Sequence, residues 1–255
     1  MSRSRFFLTS ELPADSPLVL PLSRADQHHA IRVLRVGVGE DLDVVAPSGA
    51  VWRVRVAGVS RAGIAVEPLA ELPPARQPDV ALFQGVAKGD KMDVIVRQAV
   101  EVGAAKITPV LMSRSVVRLD PGRRPERGER WRRVARAAAK QARRETVPDV
   151  ADPVEFAEAL ELLNAYDRIV VLWEDQRGRL LSTVVRSWLR EPEARIALLV
   201  GPEGGLSAEE VAALQARGAL VASLGPSIMR TETAAIVALS LVVAAMQEAG
   251  ATDET

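Results

Sequence analysis

The sequence predicts an α/β protein: a parallel sheet covered by helices, preceded by a small, separate β-rich domain. Three observations carry that reading. From residue 80 onward, short apolar runs alternate with amphipathic segments, the pattern of strands joined by crossover helices. Residues 1–72 instead hold short, partly alternating runs punctuated by Pro, Gly and Ser, which reads as a small barrel. Between the two, residues 73–79 (PPARQPD) carry three prolines and no apolar period, the composition of a linker. The expected organisation is therefore a β-rich domain over 1–72, a linker over 73–79 and the α/β domain over 80–255.

Within the first domain the strand candidates are PLVLPL (17–22), EDLDVVAP (40–47) and AVWRVRVAGV (50–59). In the last of these Trp52, Val54 and Val56 share one face, and Arg53 and Arg55 the other. In the second domain VALFQGVA (80–87) predicts a strand, KMDVIVRQAVEVGA (91–104) an amphipathic helix ending at a glycine, and KITPVLM (106–112) a strand. An arginine-rich loop and helix follow. DRIVVLW (167–173) predicts a strand, LLSTVVRSWLR (180–190) a helix and RIALLV (195–200) a strand. Ser207 and Glu210 have the spacing of a capping box and so open the next helix. The pattern closes with the strand LVASLG (220–225) and a helix from about Thr233.

Composition narrows the chemistry. The 255 residues include no cysteine and two histidines, the neighbours His28 and His29. That excludes disulfides, thiolate zinc sites and cysteine nucleophiles, and leaves little material for a Ser-His-Asp triad or a histidine metal site. The two histidines read as structural. No segment reaches the roughly 18 uncharged apolar residues of a membrane span, and the amino terminus lacks a signal-peptide core, so the expectation is a cytoplasmic protein without a metal or a membrane. Net charge is zero, with 33 basic and 33 acidic residues. From Ser113 to Arg144, however, eleven Arg and one Lys face only Asp120, Glu126 and Glu129, a local balance of +9. A local field of that size attracts phosphates, although a charge run also reads as a solvated helix face.

Two loops stand out. LLVGPEGGLSAEE (198–210) is a buried strand entering a glycine turn that opens a helix, and LGPSIMRTETAA (224–235) repeats that order. Both lie at strand carboxyl ends, where open α/β sheets bind ligands. Glycine there lets backbone N–H groups approach a phosphate or a nucleoside-bearing cofactor such as S-adenosylmethionine. The turn matches neither G-x-G-x-x-G nor the G-K-[ST] ending of a P-loop, which disfavours a nucleotide triphosphatase.

LLVGPEGGLSAEEV followed by SLGPSIMRTETAAIVAL resembles the paired signature of the knotted methyltransferases of the SPOUT superfamily. More narrowly, it resembles the family that methylates N3 of a uridine in small-subunit (16S) ribosomal RNA. The resemblance extends through RFF (5–7), HHAIRVLRVGVGEDL (28–42), KGDKMDVIVRQAVEVGAAKITPV (88–110) and ERWRRVARAAAKQARRETVPDV (129–150). One departure is KQARR (140–144), where Arg143 stands at a place usually held by a small residue; Arg143, Arg144 or both are the candidate RNA contacts.

The resemblance implies a parallel sheet with a deep trefoil knot near the carboxyl end, an amino-terminal PUA-like RNA-binding barrel and a homodimer. Bound S-adenosylmethionine would be lined by Gly201, Pro202, Glu203, Gly204 and Gly205, by Leu224, Gly225, Ile228 and Met229, and by Leu172, Val200 and Thr233. The implied partner is small-subunit ribosomal RNA, free or in an assembled 30S subunit. Uridine N3 becomes nucleophilic only as its proton leaves and charge spreads onto two carbonyl oxygens. The guanidinium of Arg230 is the candidate to stabilise that charge, and Glu232 is a candidate base or an orienter of Arg230. For RNA, Arg132, Arg136, Lys140 and Arg143 form one face of a predicted helix. Gln141, Arg144, Arg5, Arg32 and Arg35 are further candidates, as are Lys88 and Lys91 past the first strand of the large domain. A ribose 2′-O-methyltransferase on another RNA and a non-catalytic ribosome-assembly factor are the rival readings.

Overall fold

A computed structural model of the chain describes residues 4–12, 18–60, 62–72, 78–174, 179–188 and 194–252. The chain divides into two compact units. One comprises the described residues of Met1–Arg76 together with Ala139–Thr146; the other comprises those of Gln77–Ala138 and Val147–Thr255. Of the predicted linker, residues 73–77 lie outside the described residues.

The first unit is built on a five-stranded sheet. β1 (Arg5–Phe7), β2 (Leu18–Val19), β3 (Asp41–Val45), β4 (Val51–Ser60) and β5 (Gly63–Leu72) lie in the order β1-β3-β4-β5-β2. β1 and β3 are parallel and the other pairs antiparallel. The chain beyond β1 meets the chain beyond β2 at an antiparallel bridge, Leu8 to Leu22. Alternation sends Phe6, Leu42, Val44, Val54, Val56, Ile64 and Val66 into one core, the main source of its stability. β5 escapes the sequence pattern because Pro68 interrupts it; that proline sits opposite Val54, next to a bulge in β5 itself at Leu69, where a missing N–H is tolerated. Helix α1 (Arg24–His28), capped by the Ser23 side chain on the Asp26 N–H, runs on into a π-helical turn over His29–Val33.

Residues 139–146 join this unit through specific contacts. Lys140 pairs with Asp26 and its ammonium lies 5.0 Å from the centre of the Phe6 ring. Arg5, half-buried, faces Asp43 at 3.6 Å and donates to the Arg143 carbonyl. Arg143 itself sits at a left-handed φ of 55°.

The second unit is α/β. Its strands are β6 (Val80–Gly85), β7 (Lys106–Leu111), β8 (Asp149–Val150), β9 (Val154–Glu155), β10 (Arg168–Leu172), β11 (Ile196–Val200) and β12 (Leu220–Ala222). They form a sheet in the order β12-β10-β11-β6-β7-β8, with β9 also on β7 and every pairing parallel. The helices are α2 (Lys91–Val102), α3 (Arg124–Gln141), α4 (Phe156–Leu162), α5 (Leu181–Arg186), α6 (Ala208–Ala216) and α7 (Thr231–Thr252). Parallel strands covered on both faces are apolar throughout, and β6 and β11 are buried at every residue.

The sequence reading differs from these elements at their ends. α5 is shorter than its apolar pattern, which extends into residues 189–190, outside the described residues. β12 stops at Ala222, ahead of Gly225 at φ 122°. α7 starts at Thr231, and over Thr231–Ala249 it is long and apolar enough, at a mean hydropathy of 1.4, to match a membrane-crossing helix in length and composition. It packs against α2, α5, β6 and β11 and buries Ala235, Ala238, Leu239, Val242, Val243 and Met246, which makes it a core helix.

The carboxyl end of β6 is fitted to the turn beyond β11. A Cβ on Gly85 would lie 2.4 Å from the Pro202 nitrogen and 2.8 Å from the Gly201 carbonyl carbon. Backbone cannot yield as a side-chain tip can. Gly85→Ala is expected to lower the unfolding free energy by about 1–3 kcal/mol, read as a lower urea midpoint at unchanged slope.

Candidate functional site

A cavity of about 390 Å³ opens at the carboxyl ends of β10, β11 and β12, the position that a parallel sheet offers to ligands. The glycine turn forms one wall, with Val200, Gly201, Pro202, Glu203 and Gly205. Leu224, Gly225, Ile228, Met229 and Arg230 form the facing wall, and Leu172 closes the β10 side. All of these are residues that the sequence singles out.

The turn keeps its shape for local reasons. Ser207 accepts from the Glu210 N–H at 3.2 Å while Glu210 accepts from the Ser207 N–H at 2.9 Å, a complete capping box. The other Glu210 oxygen accepts from the Ser113 N–H at 2.8 Å, so the loop after β7 is held to the start of α6. Gly205 has φ 69°, and a Cβ there would come within 2.2 Å of Glu174 Oε1. Gly204 does not line the cavity; it faces Arg114, whose carbonyl oxygen would be 2.7 Å from a Cβ. Thr233 is likewise off the wall, one turn into α7 and exposed.

Beneath the turn lies a buried polar cluster. Gln84 donates to the carbonyls of Gly85 (2.9 Å) and Gly201 (3.4 Å) and to the Thr231 hydroxyl (3.0 Å), and that hydroxyl donates to the Gly201 carbonyl at 2.6 Å. The ends of β6 and β11 and the first residue of α7 are thereby joined.

Charge gathers at one end of the cavity. Lys91 Nζ lies 3.1 Å from Glu232 Oε2 and 3.4 Å from Glu203 Oε1. Glu203 Oε1 also accepts from the Lys88 N–H at 3.2 Å. The hydrogen bond to Glu232 pushes the Lys91 pKa up, with Glu203 adding to it. For Glu232, partial burial acts to raise the carboxyl, but its own N–H at the start of α7, Lys91 and Arg230 outweigh that and hold it below its ordinary value. Arg230 and Lys91 line the cavity; Glu232 stands behind Lys91.

The arginine block behaves differently from its helical pattern. Arg132 is bound to Glu129, Asp152 and the Val150 carbonyl, and Arg136 to Glu129. Arg144 is buried, and burial lowers its pKa. Arg5 is turned inward, as described, whereas Arg32, Arg35, Gln141, Arg143 and Lys88 are exposed. Elsewhere on the 113–144 block Arg123, Arg127 and Arg133 are exposed, and their side chains carry no ion pair or hydrogen bond among the described residues. Periodicity gives the faces of a helix but not which face meets carboxylates from a neighbouring segment, and Asp152 arrives from the β8–β9 region.

Sequence reasoning also left out Trp173, Glu174, Ser223, Pro226, Ser227, Thr231 and Ala234, all on the cavity wall. Trp173 and Glu174 directly follow β10, so the strand-end rule that picked out the other two loops applies to them as well. Among the described residues no group of His, Asp and Glu is arranged to hold a metal ion.

Residues 74–243 match the RNA methyltransferase domain family. Over 249 residues the chain is 30% identical to the ribosomal RNA small subunit methyltransferase E of Bacillus subtilis, covering 95% of this chain and 96% of that one. The corresponding Mycobacterium bovis protein is 32% identical over 92% of this chain and 90% of its own length. Among solved structures, ribosomal RNA small subunit methyltransferase E from Neisseria gonorrhoeae bound to S-adenosyl methionine superposes with a TM-score of 0.80 at 28% identity, covering 97% and 98% of the two chains. A Legionella pneumophila protein in complex with the cofactor SAM gives 0.79 at 27% identity, over 96% and 98%.

The glycine turn can be tested for strain on the protein alone. Gly205→Val is expected to destabilise the fold by about 1–3 kcal/mol, since it combines a left-handed φ with the Glu174 contact. Gly225→Ala, at φ 122° with nothing within 4 Å of the added Cβ, should cost less. Equal shifts in melting temperature would show that the contact with Glu174 is not felt.

Proposed function

We propose, from the premise that the chain belongs to the RNA methyltransferase family and within it to the ribosomal RNA small subunit methyltransferases E, that it methylates N3 of a uridine in 16S ribosomal RNA with S-adenosylmethionine. The observation that supports this most is the cavity itself. Its walls offer apolar side chains for a nucleoside and backbone at Gly201, Gly205 and Gly225, and one end carries Arg230 beside a lysine and two carboxylates. One nucleoside carrying an amino-acid arm suits a pocket of about 390 Å³. When bound, S-adenosylmethionine supplies an electrophilic methyl group on a sulfonium sulfur.

The residues of the chain then have three tasks. The glycine turn and the 224–230 loop hold the cofactor and exclude water, and most of the acceleration is positioning. Arg230 faces the charge that develops on the base as N3 loses its proton. Exposed arginines hold the RNA by its phosphates, without reading sequence.

The finer architecture belongs to the same reading. A trefoil knot is supported by the path of the chain at β12: Trp173 N–H donates to the Ala222 carbonyl, while Ser223 is hydrogen-bonded to Arg179 and Leu181. The segment leaving β12 is thus flanked by residues before and after the region that follows β10, and α7 then packs on β6 and β11. A PUA-like barrel is supported by the Leu8–Leu22 bridge that joins the two edges of the first sheet. A homodimer is supported by the apolar residues that α7 leaves accessible, Leu241 at 38% among them, and a ribosomal substrate goes with a cytoplasmic protein.

Nucleoside mass spectrometry of small-subunit RNA from a deletion strain, with and without the purified protein, tests the reaction. 3-Methyluridine should be absent from the strain and restored by the protein; a ribose-methylated product would overturn the assignment. Arg230→Ala should slow single-turnover methylation on the order of a hundredfold with little change in cofactor dissociation constant or melting temperature, and lysine should restore only part. A parallel fall in affinity and stability would make Arg230 a brace for its loop.

Phosphate binding has its own signature. Replacing Arg123, Arg127 and Arg133 by Gln should flatten the log–log salt dependence of RNA affinity by about two, at roughly 0.7 per single-strand phosphate contact. Replacing Arg132 and Arg136, whose charges are paired with Glu129 and Asp152, should leave the slope near wild type and lower the melting temperature instead.

A further inference from the structure

We infer that Lys91 is a positioning residue, an electrostatic clamp that holds the two loops of the cavity together, and not the RNA contact that its place beyond β6 suggests. The inference rests on the cofactor part of the reading above. Lys91 is the first residue of α2, where a cation opposes the positive end of the helix dipole; its placement therefore does not serve the helix. Its ammonium instead spans two carboxylates from different parts of the chain: Glu203 from the glycine turn and Glu232 from the first turn of α7. The first segment is one wall of the cavity, and the second continues directly from the loop that forms the facing wall.

The carboxylates depend on it. Glu203 Oε2 is buried and takes no hydrogen bond, and Glu203 Oε1 has only the Lys88 N–H and Lys91. Glu232 has its own backbone N–H, Lys91 and the field of Arg230. The neighbouring acids are engaged elsewhere: Asp90 and Asp93 bind Arg130, and Glu174 lies against Gly205 on the β10 side. Without Lys91, two carboxylates would share one partly buried site, with Arg230 acting on Glu232, and like charges in such a site resist joint ionisation. The walls would then spread, or one carboxyl would take up a proton.

That alternative makes the inference testable through charge. Lys91→Met should weaken S-adenosylmethionine binding by roughly tenfold at pH 7.5 in calorimetric titration. The loss should shrink as the pH falls towards 5, because one carboxyl of the closed form, its pKa now raised, becomes protonated and the repulsion ends. Wild type should show no such gain on acidification, since Lys91 helps to hold Glu232 ionised. Glu232→Gln placed in the Lys91→Met protein should restore most of the affinity at pH 7.5, and Lys91→Arg should stay close to wild type. The melting temperature of the cofactor-free protein should follow the same order: lowered by Lys91→Met, recovered by acid or by the second substitution.

A Lys91→Met protein with wild-type cofactor affinity and melting temperature overturns the clamp. So does a loss that neither acid nor Glu232→Gln relieves, and so does a protein that loses only the salt-dependent part of RNA binding. If the wild-type protein fails to bind S-adenosylmethionine, the functional reading falls, while the melting series still decides the clamp.

Discussion

Everything at the cavity hangs on the joint made by Gln84. This side chain, buried at the carboxyl end of a central strand, donates to the carbonyls of Gly85 and Gly201 and to the Thr231 hydroxyl. Three segments far apart in sequence are thereby fixed to one point in a low-dielectric interior, where hydrogen bonds are strong and unmet ones are costly. The glycine at 85 lets the turn beyond β11 lie directly on the β6 backbone. With that floor set, the walls need only local devices: a capping box at Ser207, a left-handed Gly205, and an ion-paired lysine across the mouth.

The charge distribution follows a similar logic. Half of a basic block can vanish as a phosphate attractant when neighbouring carboxylates claim it, as Glu129 and Asp152 claim Arg132 and Glu129 claims Arg136. Lys140 and Arg5 are turned into the first unit by Asp26, the Phe6 ring and the Arg143 carbonyl. Arg118, Arg123, Arg127 and Arg133 are exposed and take no carboxylate among the described residues. Zero net charge is thus compatible with a strongly positive local surface.

Much of the fold is legible in the sequence. Buried parallel strands must be apolar and short, so 80–85, 106–111, 168–172 and 196–200 are visible as runs, and glycine marks the end of α2. The two ligand loops are legible because strand ends that carry glycine and precede a cap have few other uses. β5 is not, because Pro68 breaks its alternation and a bulge at Leu69, beside it in the same strand, makes that proline tolerable. β8 and β9, two residues each, are too short to show any period.

The sequence by itself determined the α/β class, the apolar strands, the capping box and the identity of the residues available to the cavity, because these depend on local conformation and on a one-dimensional pattern of polarity. Tertiary structure alone decided which of those residues meet. Lys91 faces two carboxylates, Gly204 turns to Arg114, Glu232 stands behind the wall and Arg132 reaches Asp152, since each outcome depends on a partner more than fifteen residues away that periodicity cannot place. Pairing between charges is a property of distance in space, and the chain acquires those distances only when the parallel sheet brings the ends of β6, β10, β11 and β12 together.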